Sequence, residues 1–145
     1  MTRSPLPPVI RIATALIFNP EGETLLVRKE GSHIFMQAGG KIDAQETAVH
    51  ALIRELYEEL GLALSMEEAE YLGSFSAEAA HEPGHLIQAD VFRVLVSTPV
   101  SAQAEIEELL WVSPLEAPTD CLAPLTRDIL MPLAVKLLQG GCARL

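Results

Sequence analysis

Residues 40–62 read GKIDAQETAVHALIRELYEELGL, and this stretch decides the fold. Its middle holds good helix formers with no internal glycine or proline, and Gly61 supplies a C-terminal stop. The spacing predicts a helix over about Glu46 to Leu60. At about 100° of rotation per residue, Val49, Leu52, Ile53, Leu56 and Leu60 form the apolar stripe of an amphipathic helix. Glu55, Glu58 and Glu59 fall within a second arc of about 100°. Ala48 and Ala51 precede them on that face and are small, which leaves room beside the carboxylates.

Helix propensity does not ask for this acidic group. Like charges at helix spacing cost a few tenths of a kcal/mol per pair. The group also lies toward the C-terminal end, where the macrodipole disfavours negative charge. A hard divalent cation would reverse the sign, because Mg²⁺ takes a few carboxylate oxygens together with water and substrate phosphate. On the three glutamates alone, a solvated acidic face with Arg54 pairing Glu58 at i,i+4 is the better reading, since such faces are common.

The whole spacing overrides that reading. Gly40, five residues, Glu46, seven residues, Arg54-Glu55-Leu56, one residue, Glu58-Glu59, one residue, Gly61-Leu62 resembles the Nudix box at every fixed position. The resemblance implies an α/β fold, a Nudix-type α/β/α sandwich with a mixed β-sheet, as a single domain over residues 1–145. It implies a Mg²⁺-dependent hydrolase, with Mn²⁺ as an alternative ion, that cleaves the diphosphate bond of a nucleoside diphosphate linked to another group. Carried over by position, Glu55, Glu58 and Glu59 are the expected metal ligands, and Glu55 or Glu59 would also help orient the attacking water. Arg54 is expected to pair with the box carboxylates, Glu46 among them, and hold them in place. Gly39 and Gly40 give the loop a backbone shape that side chains would block. Lys41 is a candidate for a substrate phosphate, with a plain surface lysine as the rival. Ala38 stands where the family often has proline, a departure that bears on loop stiffness and not on chemistry.

Working outward, Val9 to Phe18 and Thr24 to Arg28 read as strands joined by the Asn19-Pro20-Glu21-Gly22 turn, a hairpin. Ile34 to Met36 is a short apolar run before the glycines, and Gln37 lies near the expected pocket as a ligand contact. Tyr71 to Ala77 and Leu86 to Val96 read as strands joined by a turn at His81 to His85. Glu105 to Val112 is acidic and then apolar, a short strand leading to Trp111. Leu122 to Gln139 reads as a helix with Pro124 near its start, a kink near Pro132 and Gly140-Gly141 closing it. Strands, helix, strands, helix suggest a mixed sheet covered on both faces.

The box resemblance further implies that the general base comes from outside the box. Glu105 and Glu108, before Trp111 and with Glu107 behind them, are the candidates, against an exposed acidic loop as the rival. His33, Arg28 and Lys29 read more simply as surface residues. His81 and His85 lack zinc-site spacing and read as loop residues, His50 as solvated and Trp111 as core.

The chain has 145 residues, 49% of them hydrophobic, enough for one domain with its own core. A net charge of −10 disfavours a nucleic acid polymer as partner, though not a small phosphorylated one. Cys121 and Cys142 have no metal-ligand spacing and read as free thiols of a cytoplasmic protein. No stretch is apolar enough for a membrane span, and Met1 to Pro8 reads as a loose lead-in without a secretory h-region. The family resemblance gives a homodimer as the expected assembly. Among substrates it slightly favours nucleoside triphosphates for a chain this small, ahead of nucleotide sugars or ADP-ribose. Residues 76–80 carry neither the proline nor the tyrosine that marks two other Nudix subclasses. A non-catalytic nucleotide sensor has no need of the complete carboxylate set. Isoprenoid isomerase chemistry would require cysteine machinery that Cys121 and Cys142 do not place near the box.

Overall fold

The computed structural model describes residues 8–144, and the side chains of residues 8–139; the proposed lead-in before Pro8 and the Cys142 thiol lie outside what is described. The strands are β1 (Val9–Phe18), β2 (Thr24–Lys29), β3 (Phe35–Met36), β4 (Gly39–Lys41), β5 (Glu70–Glu78), β6 (Leu86–Leu95) and β7 (Ile106–Val112). The helices are α1 (Ala48–Leu60) and α2 (Met131–Arg144). One seven-stranded mixed sheet holds all the strands. β1 runs parallel to β6 along its whole length, from Val9 opposite Leu86 to Phe18 opposite Leu95, while β5 pairs antiparallel with β6.

β1 is buried from Ala13 to Phe18 without alternation, as expected of a strand covered on both faces. On one side α1 presses Ala51, Leu52, Leu56 and Leu60 against Ala13, Ala15, Ile17 and Val94. On the other, Leu125, Leu130 and Ala134 pack on Leu16, Val91 and Ala89. Trp111, read as core, is half-buried and packs against the edge of the first cluster.

Three sequence expectations are corrected. The hairpin of β1 and β2 exists only at its base, where Phe18 faces Thr24. Beyond it the strands part: β4 takes the β1 edge at Ile12 to Thr14, and β2 pairs with β7 and β3 instead. This splitting delivers Gly39 and Gly40 to the middle of the sheet. Next, α1 begins at Ala48, capped by Thr47, whose hydroxyl accepts from the His50 N–H. Glu46 therefore precedes the helix and belongs to its entry loop. Finally, α2 runs through Gly140-Gly141 to Arg144. Its proline does not break it, because a wide π-helical turn over Thr126–Leu130 comes first, with the Met131 N–H reaching the Thr126 carbonyl. That wider turn makes room for the Pro132 ring, which also lacks the N–H of a regular helix.

The segment between β6 and β7 is strapped to the end of α1. The Ser101 and Gln103 N–H groups donate to the Leu60 and Glu59 carbonyls, and the Glu30 N–H donates to the Glu105 carbonyl. Ala104 sits between these anchors at φ 55, a left-handed conformation that costs an L-residue about 1–2 kcal/mol. Ala104→Gly relieves that strain and adds about 0.4–1 kcal/mol of chain entropy to the unfolded state. The expected net is a gain of about 0.5–1 kcal/mol, seen as a higher denaturant midpoint with an unchanged slope. A lower midpoint would show that the Ala104 methyl makes contacts worth more than its strain.

Candidate active site

The site forms where β4, the entry loop of α1 and the start of β7 meet. Gly39 has φ 146, and a Cβ there would lie 2.8 Å from the Thr14 Cα and closer still to the Ala13 carbonyl, so β4 could not pair with β1. At Gly40 the obstacle is different. A Cβ would lie 2.6 and 2.7 Å from the two carboxylate oxygens of Glu55. The missing side chain at Gly40 is thus the space that the Glu55 carboxylate occupies.

Arg54 organises the acidic group. Its Nε and Nη2 donate to both oxygens of Glu46 at 2.7 and 2.8 Å, and Nη1 donates to Glu55 at 2.8 Å and Glu58 at 3.2 Å. Nη2 also donates to the Lys41 carbonyl at 3.1 Å, and Asp43 lies 3.6 Å away. The two-pronged contact with Glu46 is the strong kind of arginine–carboxylate pairing. It holds the Glu46 carboxyl down to about 2, assisted by the Asp43 backbone N–H, while its carboxylate neighbours raise the Arg54 guanidinium. A group with a depressed folded pKa stabilises the fold above its unfolded value and loses that contribution as pH falls through the folded one. The Glu46 contribution is therefore present above about 4.5 and fades toward about 2. Glu46→Gln is expected to flatten the fall in Tm between those pH values; an unchanged acid limb would mean that the pair contributes nothing to folding.

The three box glutamates occupy different environments. Glu58 is half-exposed at the side chain, Glu55 is mostly covered, and Glu59 is buried at 3% exposure. Glu59 accepts from the Gly39 N–H at 3.1 Å. Burial pushes its carboxyl up to about 7, and repulsion from Glu55 and Glu105 adds to this, while the Gly39 N–H and Lys29 oppose it. The face read as carrying three carboxylates thus places one of them in the core. Ala51, read as clearance on that face, is itself fully buried, and Ile53, read as core, is only half-buried.

The acidic segment at β7 is divided too. Arg28 donates to Glu108 at 2.9 Å and to Glu107 at 3.0 Å, and its guanidinium is raised by both. Glu105 faces Lys29 at 3.7 Å and is close enough to Glu59 to repel it. Lys41 pairs loosely with Glu82 at 3.6 Å, and His81 shares a hydrogen bond with the Ser32 hydroxyl at 2.9 Å. His33 and His50 are exposed. Gln37 is buried, and its Oε1 accepts from the Thr126 hydroxyl at 2.7 Å. Sequence reasoning passed over Thr126, and nothing local marks it: it lies 89 positions away, inside the segment read as the second helix.

A cavity of about 130 Å³ opens beside these groups, lined by Gly39, Gly40, Lys29 and Lys41 together with Ile10, Ile12 and Ile87. Among the described residues no three histidine, cysteine, aspartate or glutamate side chains converge closely enough to hold an ion as they stand. The residues nevertheless fit a hard cation. The donors are all carboxylates, the type Mg²⁺ prefers, and Gly40 keeps space around Glu55. Glu59 is buried with one hydrogen bond and a raised pKa, the state of a carboxylate whose charge lacks a partner.

Residues 8–131 match the NUDIX domain family model. The chain is 32% identical over 114 residues to the CTP pyrophosphohydrolase of Escherichia coli (strain K12), covering 76% of this chain and 81% of that protein. The solution structure of the E. coli ORF135 protein is 32% identical with TM-score 0.69, over 95% of this chain and 97% of that one. The crystal structure of the MutT protein from Methanosarcina mazei Go1 is 27% identical with TM-score 0.75, over 92% of this chain and 97% of that one.

Proposed function

The chain belongs to the Nudix family and is a Nudix pyrophosphohydrolase, and from that premise we propose that it hydrolyses a nucleoside triphosphate with the help of Mg²⁺ or Mn²⁺, releasing the monophosphate and pyrophosphate. The observation that carries this reading is the polarity of the cavity. Its lining combines two glycines and two lysines, groups that suit phosphate, with Ile10, Ile12, Met36 and Ile87, apolar side chains that suit a base. Among the nucleotides, cytidine triphosphate is the first candidate, because the curated relative that covers most of this chain acts on CTP.

In this reading Glu55, Glu58 and Glu59 would hold the divalent cation, which when bound would neutralise phosphate oxygens and acidify a water. Arg54 fixes Glu55 and Glu58 without exhausting their lone pairs, since each carboxylate can accept about four hydrogen bonds. Lys29 and Lys41 attract the substrate phosphates, and Gly39 and Gly40 let the chain approach them. Glu105 takes the proton from the attacking water. It is preferred to Glu108, whose carboxylate is already bound by Arg28, while Glu105 meets only a distant lysine and adjoins Glu59. The water oxygen bonds to phosphorus, the bridging P–O bond breaks, and pyrophosphate leaves with the pair of electrons.

The test is release of the nucleoside monophosphate from CTP, other nucleoside triphosphates, nucleotide sugars and ADP-ribose, with Mg²⁺ and with chelator. Mg²⁺-dependent turnover of triphosphates, with CTP foremost, supports the proposal. Turnover confined to nucleotide sugars or ADP-ribose overturns the substrate assignment, and tight nucleotide binding without turnover would make the domain a sensor.

A further inference from the structure

Ala104, at φ 55, is the one residue other than glycine with positive φ among the described residues. Chain length does not impose this. The connection from β6 to β7 covers residues 96–105, longer than most connections, so the chain has slack to turn without strain. Ala104 sits instead between two fixed points. On one side the Gln103 N–H donates to the Glu59 carbonyl at 2.9 Å, and the Gln103 side chain lies over Gly61, where any side chain would collide with it. On the other side the Glu105 carbonyl accepts from the Glu30 N–H at 2.8 Å. The Ile106 N–H donates to the Gln103 carbonyl at 3.1 Å and closes a turn with Ala104 and Glu105 at its centre. Of these two only Ala104 has positive φ, at the place that glycine usually fills in such a turn.

Both fixed points adjoin the active site. Glu59 is the buried carboxylate of the box, and its own carbonyl anchors the strap. Glu105, the residue after Ala104, faces Lys29 at 3.7 Å, and Lys29 lines the cavity with Gly39 and Gly40. Resting on the reading of Glu105 as the base, we infer that Ala104 is a positioning residue, whose left-handed turn sets Glu105 beside the cavity in fixed relation to the helix that carries Glu59. Strain kept where the chain has slack points to a geometry that the site requires. The Glu105 side chain is long and mostly exposed, so on a loose backbone its carboxylate would sample many positions. Anchors on both sides of the turn remove the backbone share of that freedom.

The experiment is a double-mutant cycle read in kcat and KM for CTP with Mg²⁺. Glu105→Gln alone is expected to lower kcat by about 10²–10⁴. Ala104→Val, whose β-branched side chain opposes positive φ, is expected to lower kcat by about 10- to 100-fold with KM little changed. In the Glu105→Gln background the same substitution should change kcat by less than about twofold, because no base is left to position. Ala104→Gly, the conservative variant, takes the same turn freely and should keep kcat within about twofold of the wild type. If Ala104→Val does not fold, a glycine inserted between Ala104 and Glu105 replaces it in the cycle, since extra length in this exposed segment costs little stability. A purely structural turn would lower Tm and change kcat by the same factor in both backgrounds, and that result overturns the inference. An unchanged kcat in Ala104→Val overturns it too, provided that Glu105→Gln is impaired. If Glu105→Gln keeps the kcat of the wild type, the base assignment itself fails and takes this inference with it. A wild type that turns over no nucleoside triphosphate with Mg²⁺ sinks the proposed function and the inference together.

Discussion

Glu58→Gln is expected to lower kcat by about 10²–10⁴ while leaving Tm nearly unchanged. The two halves of this expectation rest on different observations. Stability is spared because the Glu58 side chain is half-exposed, and its contact with Arg54, at 3.2 Å, is the longest that the guanidinium makes to Glu46, Glu55 and Glu58. An exposed ion pair of this kind contributes about 0–1 kcal/mol. Arg54 also keeps its pairing with Glu46 and Glu55, so the entry loop stays anchored. Activity is lost because a neutral amide cannot supply the negative charge that a hard cation requires. Steady-state kinetics at saturating Mg²⁺ and a melting curve on the same sample test both halves. An active Glu58→Gln enzyme would remove Glu58 from the proposed ligand set. A large fall in Tm would show that the residue serves the fold instead.

Much of this arrangement can be read from the chain. β1 is rich in apolar and β-branched residues and appears as a strand over the residues expected of it, because a strand buried on both faces over most of its length has a strong composition signal. The box spacing identifies the family, and the helical wheel places Glu58 away from the core. The same wheel holds a clue to Glu59 that an arc-based reading passes over: Glu59 lies only about 20° from Leu52, and Leu52 is fully buried. Whether a residue so close to the apolar stripe is covered depends on β4 and the strap ahead of β7, which arrive from distant sequence. The exchange of partners between β1, β2 and β4 is hidden for a similar reason. A turn such as Asn19 to Gly22 determines that two strands meet, but not how far they stay together once another strand competes for the edge. Arg28 and Lys29 illustrate the limit most clearly. Their roles follow from the pairing of β2 with β7, which brings Glu108 opposite Arg28 across 80 positions of chain.

The burial of Glu59 leads to the second large effect, a reversal of the usual pH dependence of a carboxylate. In the protein without metal its pKa stands at about 7, against 4.5 for the free group. Below 4.5 it is protonated in both the folded and the unfolded chain and costs nothing. Between 4.5 and about 7 the unfolded chain ionises while the folded one still holds the proton, so stability falls as pH rises. Above about 7 both forms are ionised and the full penalty applies, about 3 kcal/mol from the size of the shift. In chelator, Tm should therefore drop from pH 5 to pH 8. Glu59→Gln keeps an oxygen to accept from the Gly39 N–H but carries no charge, so its Tm should be nearly flat over that interval. The variant should exceed the wild type at pH 8 by up to about 3 kcal/mol, although it loses turnover. Adding Mg²⁺ should raise the wild-type Tm at pH 8 and not that of Glu59→Gln, because a bound cation rewards the ionised form that burial alone penalises. If the variant is instead less stable than the wild type at pH 8 in chelator, the ionised carboxylate already has a partner within the protein. Glu59 would then be a structural anion and not a residue held in readiness for a metal.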